Sequence, residues 1–438
     1  MRDKQITYPS LQVILQYMEA NKRIHLSHCA PALRTAETCV PLSIDFLSIA
    51  PYSIQINSVA YTLGVIRHSS NGSLHVRAQE MNKSGGSAVD INEFGEVDHS
   101  FDSLLSPGDV VLKDVEEDEE EEMTTVEFNE LMRGEEKRLK ILKNKKWNEK
   151  RQEDIDEIEN LLFAWKHRRD NTRPDYTCYL KMRIVSVTDV ESFKKVEYTE
   201  YNKKLYEGMK YLATKILSHR YPIQVNILNV YTEDGVLRLP ATMRLKTRKI
   251  TMGCNFNENW ESLKKVLVDP GKDGLDEVKL IVTSKIDKPE NQAHPVVTNA
   301  KSLVLEFDED SGSLTYFDIT IMRSKNQYVY VKNGYPTREQ LTMLIDKILE
   351  DKRRVGTSFT FGVHNKKMLL KLMSAMRERK NAIRGVFEWS SQTFDTVRLP
   401  MGSSSELHIS CKVNDSHDKK DHTSRRYYLH LKRNVVVE

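Results

Sequence analysis

The chain is best understood outward from one N-terminal segment, Tyr8-Pro9-Ser10-Leu11-Gln12-Val13-Ile14-Leu15-Gln16-Tyr17-Met18. Pro9 and Ser10 lie where a helix begins, because proline is tolerated in the first turn and serine accepts a hydrogen bond from a free backbone amide there. Four apolar residues follow at the i, i+3, i+4 and i+7 spacing of one helical face, namely Leu11, Ile14, Leu15 and Met18. The segment therefore predicts an amphipathic helix.

Two further short helices are predicted before residue 41. Asn21 interrupts the first pattern, Pro31 ends the second apolar set, and Pro41 ends the third. The apolar residues are Ile24, Leu26 and Cys29 in the second helix and Leu33, Ala36 and Val40 in the third. Three such helices in about 35 residues bury too little surface to form a core of their own. They must pack on the rest of the chain, on a partner or on both, which is typical of a binding module.

The totals indicate a globular protein without a membrane span. The 438 residues are enough for two or three domains, and the 66 basic and 63 acidic residues nearly cancel. No window approaches the ~20 apolar residues of a membrane helix, and the first residues lack the apolar core of a secretory signal. The five scattered cysteines, an odd number, suggest reduced thiols. We therefore expect an intracellular protein, cytoplasmic or nuclear.

The middle of the chain divides into a β-rich domain and a charged insertion. Residues 42–115 show strand-like alternation, and Asn71-Gly72 is a two-residue hairpin signal, so we expect a small antiparallel sheet. Residues 116–175 begin with the acidic run 116–122, interpreted as a solvated linker or as the approach to a helix. A long helix or a helical hairpin, dense in Glu, Lys and Arg, follows. A coiled-coil dimer seam is the alternative for this helical part, but its apolar spacing is irregular.

The last segment, residues 176–438, is predicted to be an irregular LRR-like αβ array. Short apolar strands start at residues 225, 250, 278, 303, 329 and 359, with helical patterns between or after some of them. A strand and a helix at this spacing are typical of leucine-rich-repeat solenoids, although the asparagine of the usual repeat is missing. The final strands, around residues 397–399, 407–411 and 427–431, are expected to cap its edge. The fold class is thus α+β.

No residue pattern indicates catalysis, a cofactor or a metal site. His25, His28, Cys29 and Cys39 form the nearest approach to a metal cluster, but zinc ligands normally come in closely spaced pairs that converge. Nucleotide-binding glycine loops and a nucleophile elbow are absent. The basic clusters are interleaved with acidic residues, which argues against nucleic acid and favours solvated helix surface. We expect a non-enzymatic protein, and an RNA-associated factor is the least favoured alternative.

A resemblance is carried by the proline-led first helix, the apolar-basic second helix from Arg23 to Cys29, and Pro31-Ala32-Leu33-Arg34. Further segments that carry it are Tyr61-Thr62-Leu63-Gly64, Met81-Asn82-Lys83-Ser84-Gly85-Gly86, Leu105-Ser106-Pro107-Gly108-Asp109-Val110, Tyr201-Asn202-Lys203-Lys204-Leu205, Met209-Lys210-Tyr211-Leu212 and His294-Pro295-Val296-Val297-Thr298-Asn299-Ala300. The chain resembles the nematode F-box C family, in which a degenerate F-box precedes a long domain of unknown function. In this chain the F-box-like segment spans residues 5–41; it is shorter than a full F-box and contains no tryptophan.

The resemblance implies a substrate-recognition adaptor of an SCF-type ubiquitin ligase. Its partners would be the Skp-type adaptor and an unknown target protein, and the residues implied for the first contact are Pro9, Leu11, Ile14, Leu15, Met18, Ile24 and Leu33. The alternative is a general protein-interaction scaffold with no ligase link, in which the same helices only cover the fold. Burial of the apolar residues at 11–18 favours the scaffold, and partial exposure favours the adaptor.

Overall fold

The computed structural model describes residues 7–72, 74–101, 104–112, 125–146, 148–188, 194–220, 222–230, 235–253, 256–269, 274–282, 293–307, 321–334, 336–351, 353–363, 366–389, 392–402, 404–413 and 427–435. They fold as two compact units. The first contains residues 1–225 and 233–245, and the second contains residues 226–232 and 246–438. The fold class is α+β, as the sequence predicts.

Three short helices form the N-terminal segment, as predicted: α1 (Tyr8–Tyr17), α2 (Ala20–Cys29) and α3 (Arg34–Thr38), with a single 3-10 turn, Pro31–Leu33, before α3. The first boundary differs from the prediction. Asn21 lies inside α2, and the chain breaks earlier, where Met18 is extended and Glu19 caps α2 by accepting a hydrogen bond from the Lys22 amide at 3.1 Å. A carboxylate at a helix N-terminus accepts a hydrogen bond from a free amide and interacts favourably with the helix dipole. These two contributions outweigh the weak helix preference of Asn21.

The strands of the first unit are β1 (Ser43–Ala50), β2 (Ser53–Ile56), β3 (Val59–His68), β4 (Asp90–Ile91), β5 (Val97–Asp98), β6 (Val110–Leu112), β7 (Thr177–Ser186) and β8 (Lys194–Glu200), joined by β10 (Gly235–Leu237). The main sheet runs in the order β1-β2-β3-β7-β8 and is antiparallel throughout. β4 pairs with β5, and β6 pairs with β10. The antiparallel character predicted for residues 42–115 is therefore confirmed, but the sheet continues into strands beyond residue 115.

Asn71-Gly72 does not close a hairpin. Gly72 has a positive φ of 71° and turns the chain, but helix α4 (Val76–Ser84) follows where a hairpin needs a second strand. The Asn71 side chain donates instead to the Asp175 carboxylate at 2.7 Å. The partner of β3 on this side is β7, about a hundred residues later, so the turn signal was correct and the pairing inferred from it was wrong.

The charged insertion forms two helices, α5 (Thr125–Lys143) and α6 (Glu149–Arg169), which confirms the helical hairpin. Met132 from α5 packs with Ile158 and Leu162 from α6, and Leu139, Leu142 and Trp165 surround them. The apolar residues considered for a dimer seam thus pack against each other within one chain.

The acidic run 116–122 lies outside the described residues. Helix α7 (Leu205–Leu217) follows β8, and its N-cap is Lys204.

The strands of the second unit are β11 (Leu245–Met252), β12 (Glu277–Val282), β13 (Ser302–Phe307), β14 (Tyr328–Lys332), β15 (Ser358–Val363), β16 (Ile383–Trp389), β17 (Gln392–Pro400), β18 (Ser405–Val413) and β19 (Tyr427–Val435); β9 (Ile223–Val230) crosses the boundary between the units. Its helices are α8 (Phe256–Leu263), α9 (Pro295–Asn299), α10 (Arg338–Glu350) and α11 (Lys366–Arg377). A 3-10 turn, Lys264–Val266, extends α8.

Strands β11 to β15 are parallel and lie in chain order. All six strands that the sequence predicted from residue 225 onward are present, and β19, β18, β17 and β16 continue the sheet in antiparallel order beyond β15. The expectation that the C-terminal strands cover the array edge is confirmed, since β19 pairs with β15. The description of the array as LRR-like stays a prediction. Among the described helices, none is long and apolar enough to cross a membrane.

Candidate functional site

The inner side of α1 holds the N-terminal segment on the first unit. Leu15 is fully buried, and Leu11 and Met18, one turn away on either side, are half-buried. In α2, Ala20 and Ile24 are buried as well. This face carries most of the pattern that the sequence predicted, and its burial fixes α1 in place because apolar area removed from water stabilises at roughly 25 cal/mol per Å².

A buried ionic triad of Arg23, Glu37 and Arg220 also holds the N-terminal segment on the first unit. The Glu37 carboxylate of α3 accepts hydrogen bonds from Arg23 Nε at 3.1 Å and from Arg220 Nη2 at 2.7 Å. The side chains of Arg23, Glu37 and Arg220 are between 0% and 1% exposed. The remaining guanidinium donors reach backbone carbonyls, those of Pro41, Glu37 and Val40 for Arg23 and that of Ile216 for Arg220. A buried ion pair with its donors satisfied holds its parts in one geometry.

Burial lowers the pKa of the Arg23 guanidinium, with the charge of Arg220 acting in the same direction. The Glu37 carboxylate opposes both effects by Coulombic attraction and hydrogen bonding. One carboxylate therefore stabilises two buried cations, and the triad depends on Glu37 more than on either arginine.

A polar cluster at the start of α2 links the segment to the β1–β3 region. Asn21 Nδ2 donates to the Ile56 carbonyl at 2.9 Å, and Tyr61 Oη donates to Asn21 Oδ1 at 3.1 Å. Glu19 accepts from Asn57 Nδ2 at 2.8 Å. Burial, together with the charge of Glu19, raises the pKa of Tyr61 to about 12, so its hydroxyl stays a donor at neutral pH.

The opposite side of α1 carries an exposed apolar surface. Val13 is 55% exposed, Ile14 45% and Tyr17 82%. At 100° per residue these three side chains span an arc of about 100°; Val13 and Tyr17 lie about 160° from Leu15, and Ile14 lies at the edge of the arc nearest Met18. We call Val13, Ile14 and Tyr17 the α1 outer face. A helix whose apolar residues occupy two opposite sides is held by one side and can bind with the other.

The seven residues predicted for partner contact are divided between these two sides. Pro9 and Ile14 are exposed, Leu11, Met18 and Leu33 are half-buried, and Leu15 and Ile24 are buried in the core of the unit. Val13 and Tyr17, which share the α1 outer face with Ile14, were not among the predicted residues, because the prediction used only the stronger 11-14-15-18 pattern. Their spacing of four residues, next to Ile14, was the signal that could have revealed a second apolar face.

The residues considered for metal binding do not converge within the described part of the chain. Cys29 Sγ lies 3.5 Å from His25 Nε2, one helical turn away, while His28 Nδ1 is within 2.7 Å of the Ile24 carbonyl. No group of three or more His, Cys, Asp or Glu side chains among the described residues is arranged to hold a metal ion. Among the described cysteines, Cys29, Cys39, Cys178 and Cys411 form no disulfide.

The class of protein that this geometry defines is an α+β protein whose N-terminal helix is anchored by one face and exposed by the other. Residues 204–365 match the family model described as Domain of unknown function (DUF3557). This segment runs from α7 to the end of β15 and is less than half of the chain, so the helices α1 to α3 lie outside it. No curated protein and no solved structure matches the chain.

Proposed function

We propose that this protein is a non-enzymatic substrate-recognition adaptor that binds a Skp-type subunit of an SCF-type ubiquitin ligase through α1. The observation that carries the proposal is the α1 outer face, where Val13, Ile14 and Tyr17 are exposed on a helix whose other side is buried at Leu15. The resemblance of residues 5–41 to a degenerate F-box supplies the kind of partner. An intracellular location, cytoplasmic or nuclear, follows from that partner and belongs to the same proposal.

The chemistry of the face suits a helix-in-groove or helix-on-helix contact. Isolated exposed apolar residues are ordinary on protein surfaces, but three adjacent ones on a single helix form the kind of anchor that such contacts use. Tyrosine is also enriched among residues that contribute most to binding energy. Because about half or more of each side chain is exposed, each can contribute on the order of 1 kcal/mol when covered. Pro9, which is also exposed, extends the surface at the start of the helix.

The test is the affinity of the full chain for a purified Skp-type adaptor, measured by biolayer interferometry. A Val13→Asp, Ile14→Asp variant should lose about a hundredfold or more in affinity, because two unpaired carboxylates would enter an apolar contact at about 1–3 kcal/mol each. Val126→Asp, Ile141→Asp is the matched control, since these residues of α5 are 68% and 56% exposed. Circular dichroism should show both variants folded.

The adaptor function is supported if the parent and the control variant bind the Skp-type adaptor and the α1 variant does not. Equal loss in both double variants would contradict it, because the effect would then come from added charge and not from the α1 outer face. An absence of binding by the folded parent would also contradict it.

The scaffold alternative is favoured by a different observation, the burial of Leu15 and of the Arg23–Glu37–Arg220 triad. If α1 serves only to cover the first unit, its outer face is ordinary surface. The same double variant then leaves every interaction of the protein unchanged. The scaffold alternative is favoured if the parent does not bind the Skp-type adaptor and the α1 variant still captures protein partners.

A further inference from the structure

A groove of about 1060 Å³ lies within the second unit, at the edge of the sheet where β12 to β15 begin. Because these strands are parallel and paired in register, their amino ends meet at one edge. The groove is lined by the residues that lead into the strands: 274–276 before β12, 298–301 before β13, 322–327 before β14, and positions between 347 and 357 before β15.

The described lining is strongly basic, although the chain as a whole is nearly neutral with 66 basic and 63 acidic residues. Its acidic members are Asp276 and Asp351, and its basic members are Lys301, Arg323, Lys325, Lys347, Arg353 and Arg354. A concave surface lined by one sign of charge concentrates ligands of the opposite sign. The groove therefore favours an anionic ligand.

Both acidic residues already have basic partners. Asp351 pairs with Arg353 at 3.2 Å, and Asp276 lies 4.0 Å from Arg248, outside the groove lining. Arg353 also donates to the Met322 carbonyl at 2.8 Å, and its guanidinium lies 5.0 Å from the centre of the Phe359 ring. Arg353 is thus held in the wall by the fold and is not counted as a ligand-binding group.

Five cations remain that have no ion pair within the described part of the chain: Lys301, Arg323, Lys325, Lys347 and Arg354. Arg323, Lys325 and Arg354 are exposed, and Lys301 lies beside the Tyr328 ring with its Nζ 5.9 Å from the ring centre. They come from the segments leading into β13, β14 and β15. At about 4.8 Å between neighbouring strands, these segments spread the charges over about 10 Å.

We propose that this groove binds an acidic segment of another protein in extended conformation. An extended chain rises about 3.3 Å per residue, so three or four acidic residues match the spread of the five cations. Lysine and arginine form charge-assisted hydrogen bonds with carboxylates, and arginine can do so with two parallel bonds. No aromatic side chain belongs to the described lining, which argues against nucleobases, because single-stranded nucleic acid is normally held by base stacking. The proposal does not depend on the adaptor function.

The test uses the full chain and fluorescein-labelled peptides at low ionic strength, with fluorescence anisotropy as the readout. Hexaglutamate is the probe, hexaglutamine is the uncharged control, and a six-nucleotide oligothymidylate is the alternative polyanion. Arg323→Gln, Lys325→Gln removes two groove charges. Lys246→Gln, Lys265→Gln removes two exposed lysines of the same unit that do not line the groove, so both variants have the same net charge. Thermal unfolding confirms that both fold like the parent.

We expect the parent to bind hexaglutamate and not hexaglutamine, with an affinity that falls as salt is raised. The groove variant should bind about tenfold more weakly, since two charge pairs are lost, and the control variant should stay within about twofold of the parent. Failure of the parent to bind hexaglutamate would overturn the proposal. Equal weakening in both variants would also overturn it, by showing a net-charge effect. Tighter binding of the oligothymidylate, weakened by the groove variant alone, would assign the groove to nucleic acid instead.

Discussion

Replacing Glu37 with glutamine should destabilise the N-terminal segment more than any surface change. Glu37 is fully buried and is the single carboxylate between Arg23 and Arg220 among the described ion pairs. Glutamine keeps the shape of the side chain but not its charge, so two guanidinium groups stay buried without a countercharge. Breaking a buried ion pair by removal of one partner costs about 3–5 kcal/mol, and two cations depend on this one carboxylate. We therefore expect a loss at the upper end of that range.

Hydrogen exchange is the appropriate measurement, because two compact units need not unfold in one transition. The exchange of amides in Ala20–Cys29, followed by mass spectrometry, reports the local opening free energy of α2 directly. The matched control is Glu339→Gln. Glu339 is 67% exposed and pairs only with the neighbouring Arg338 among the described ion pairs, so its replacement should leave the exchange of Ala20–Cys29 unchanged.

Adding Arg220→Met to Glu37→Gln should restore part of the lost protection, since one of the two unpaired charges is then removed. A loss of less than about 1 kcal/mol in Glu37→Gln would show that the two buried guanidinium groups do not depend on the Glu37 charge. It would mean that water reaches the triad and that apolar packing of Leu15 and Ile24 alone holds the helices.

Three further predictions concern other parts of the first unit. The pKa of Asp109 is lowered, because hydrogen bonds from Lys210, Ser106 and Arg238 outweigh the effect of burial. The stabilising contribution of Asp109 is complete above pH ~4 and is lost as the pH falls through the lower folded-state pKa. Asp109→Asn should therefore lose less stability than the parent on acidification, measured by denaturation at a series of pH values. Gly86→Ala should destabilise the first unit by about 1–3 kcal/mol, measured by hydrogen exchange of that unit, because Gly86 has a φ of 105° and a Cβ there would lie 2.9 Å from the backbone of β3. Leu162→Ala should cost about 2–5 kcal/mol in the same assay, since Leu162 is 3% exposed in the core between α5 and α6.

Local periodicity predicted the helices and strands well. The apolar spacing of Leu11, Leu15 and Met18 gave α1 its buried face, and the strands that begin near residues 250, 278, 303, 329 and 359 were located because each is apolar and short. These features depend on neighbours in sequence, which is why a pattern of period two or 3.6 reveals them.

Long-range pairing could not be predicted in the same way. Glu37 and Arg220 are 183 positions apart, and no local pattern distinguishes that glutamate from the many others in the chain. The partner of β3 after Asn71-Gly72 was misjudged for the same reason, since the turn residues are local and the pairing with β7 is not. The groove cations come from segments that meet only because β13, β14 and β15 are parallel.

Hydrogen exchange of the full chain, with and without a saturating concentration of a Skp-type adaptor, shows whether the α1 outer face binds that adaptor. We expect slower exchange in Tyr8–Tyr17 and unchanged exchange in Thr125–Lys143, whose exposed Val126 and Ile141 serve as the internal control. Unchanged exchange throughout Tyr8–Tyr17 would contradict this binding.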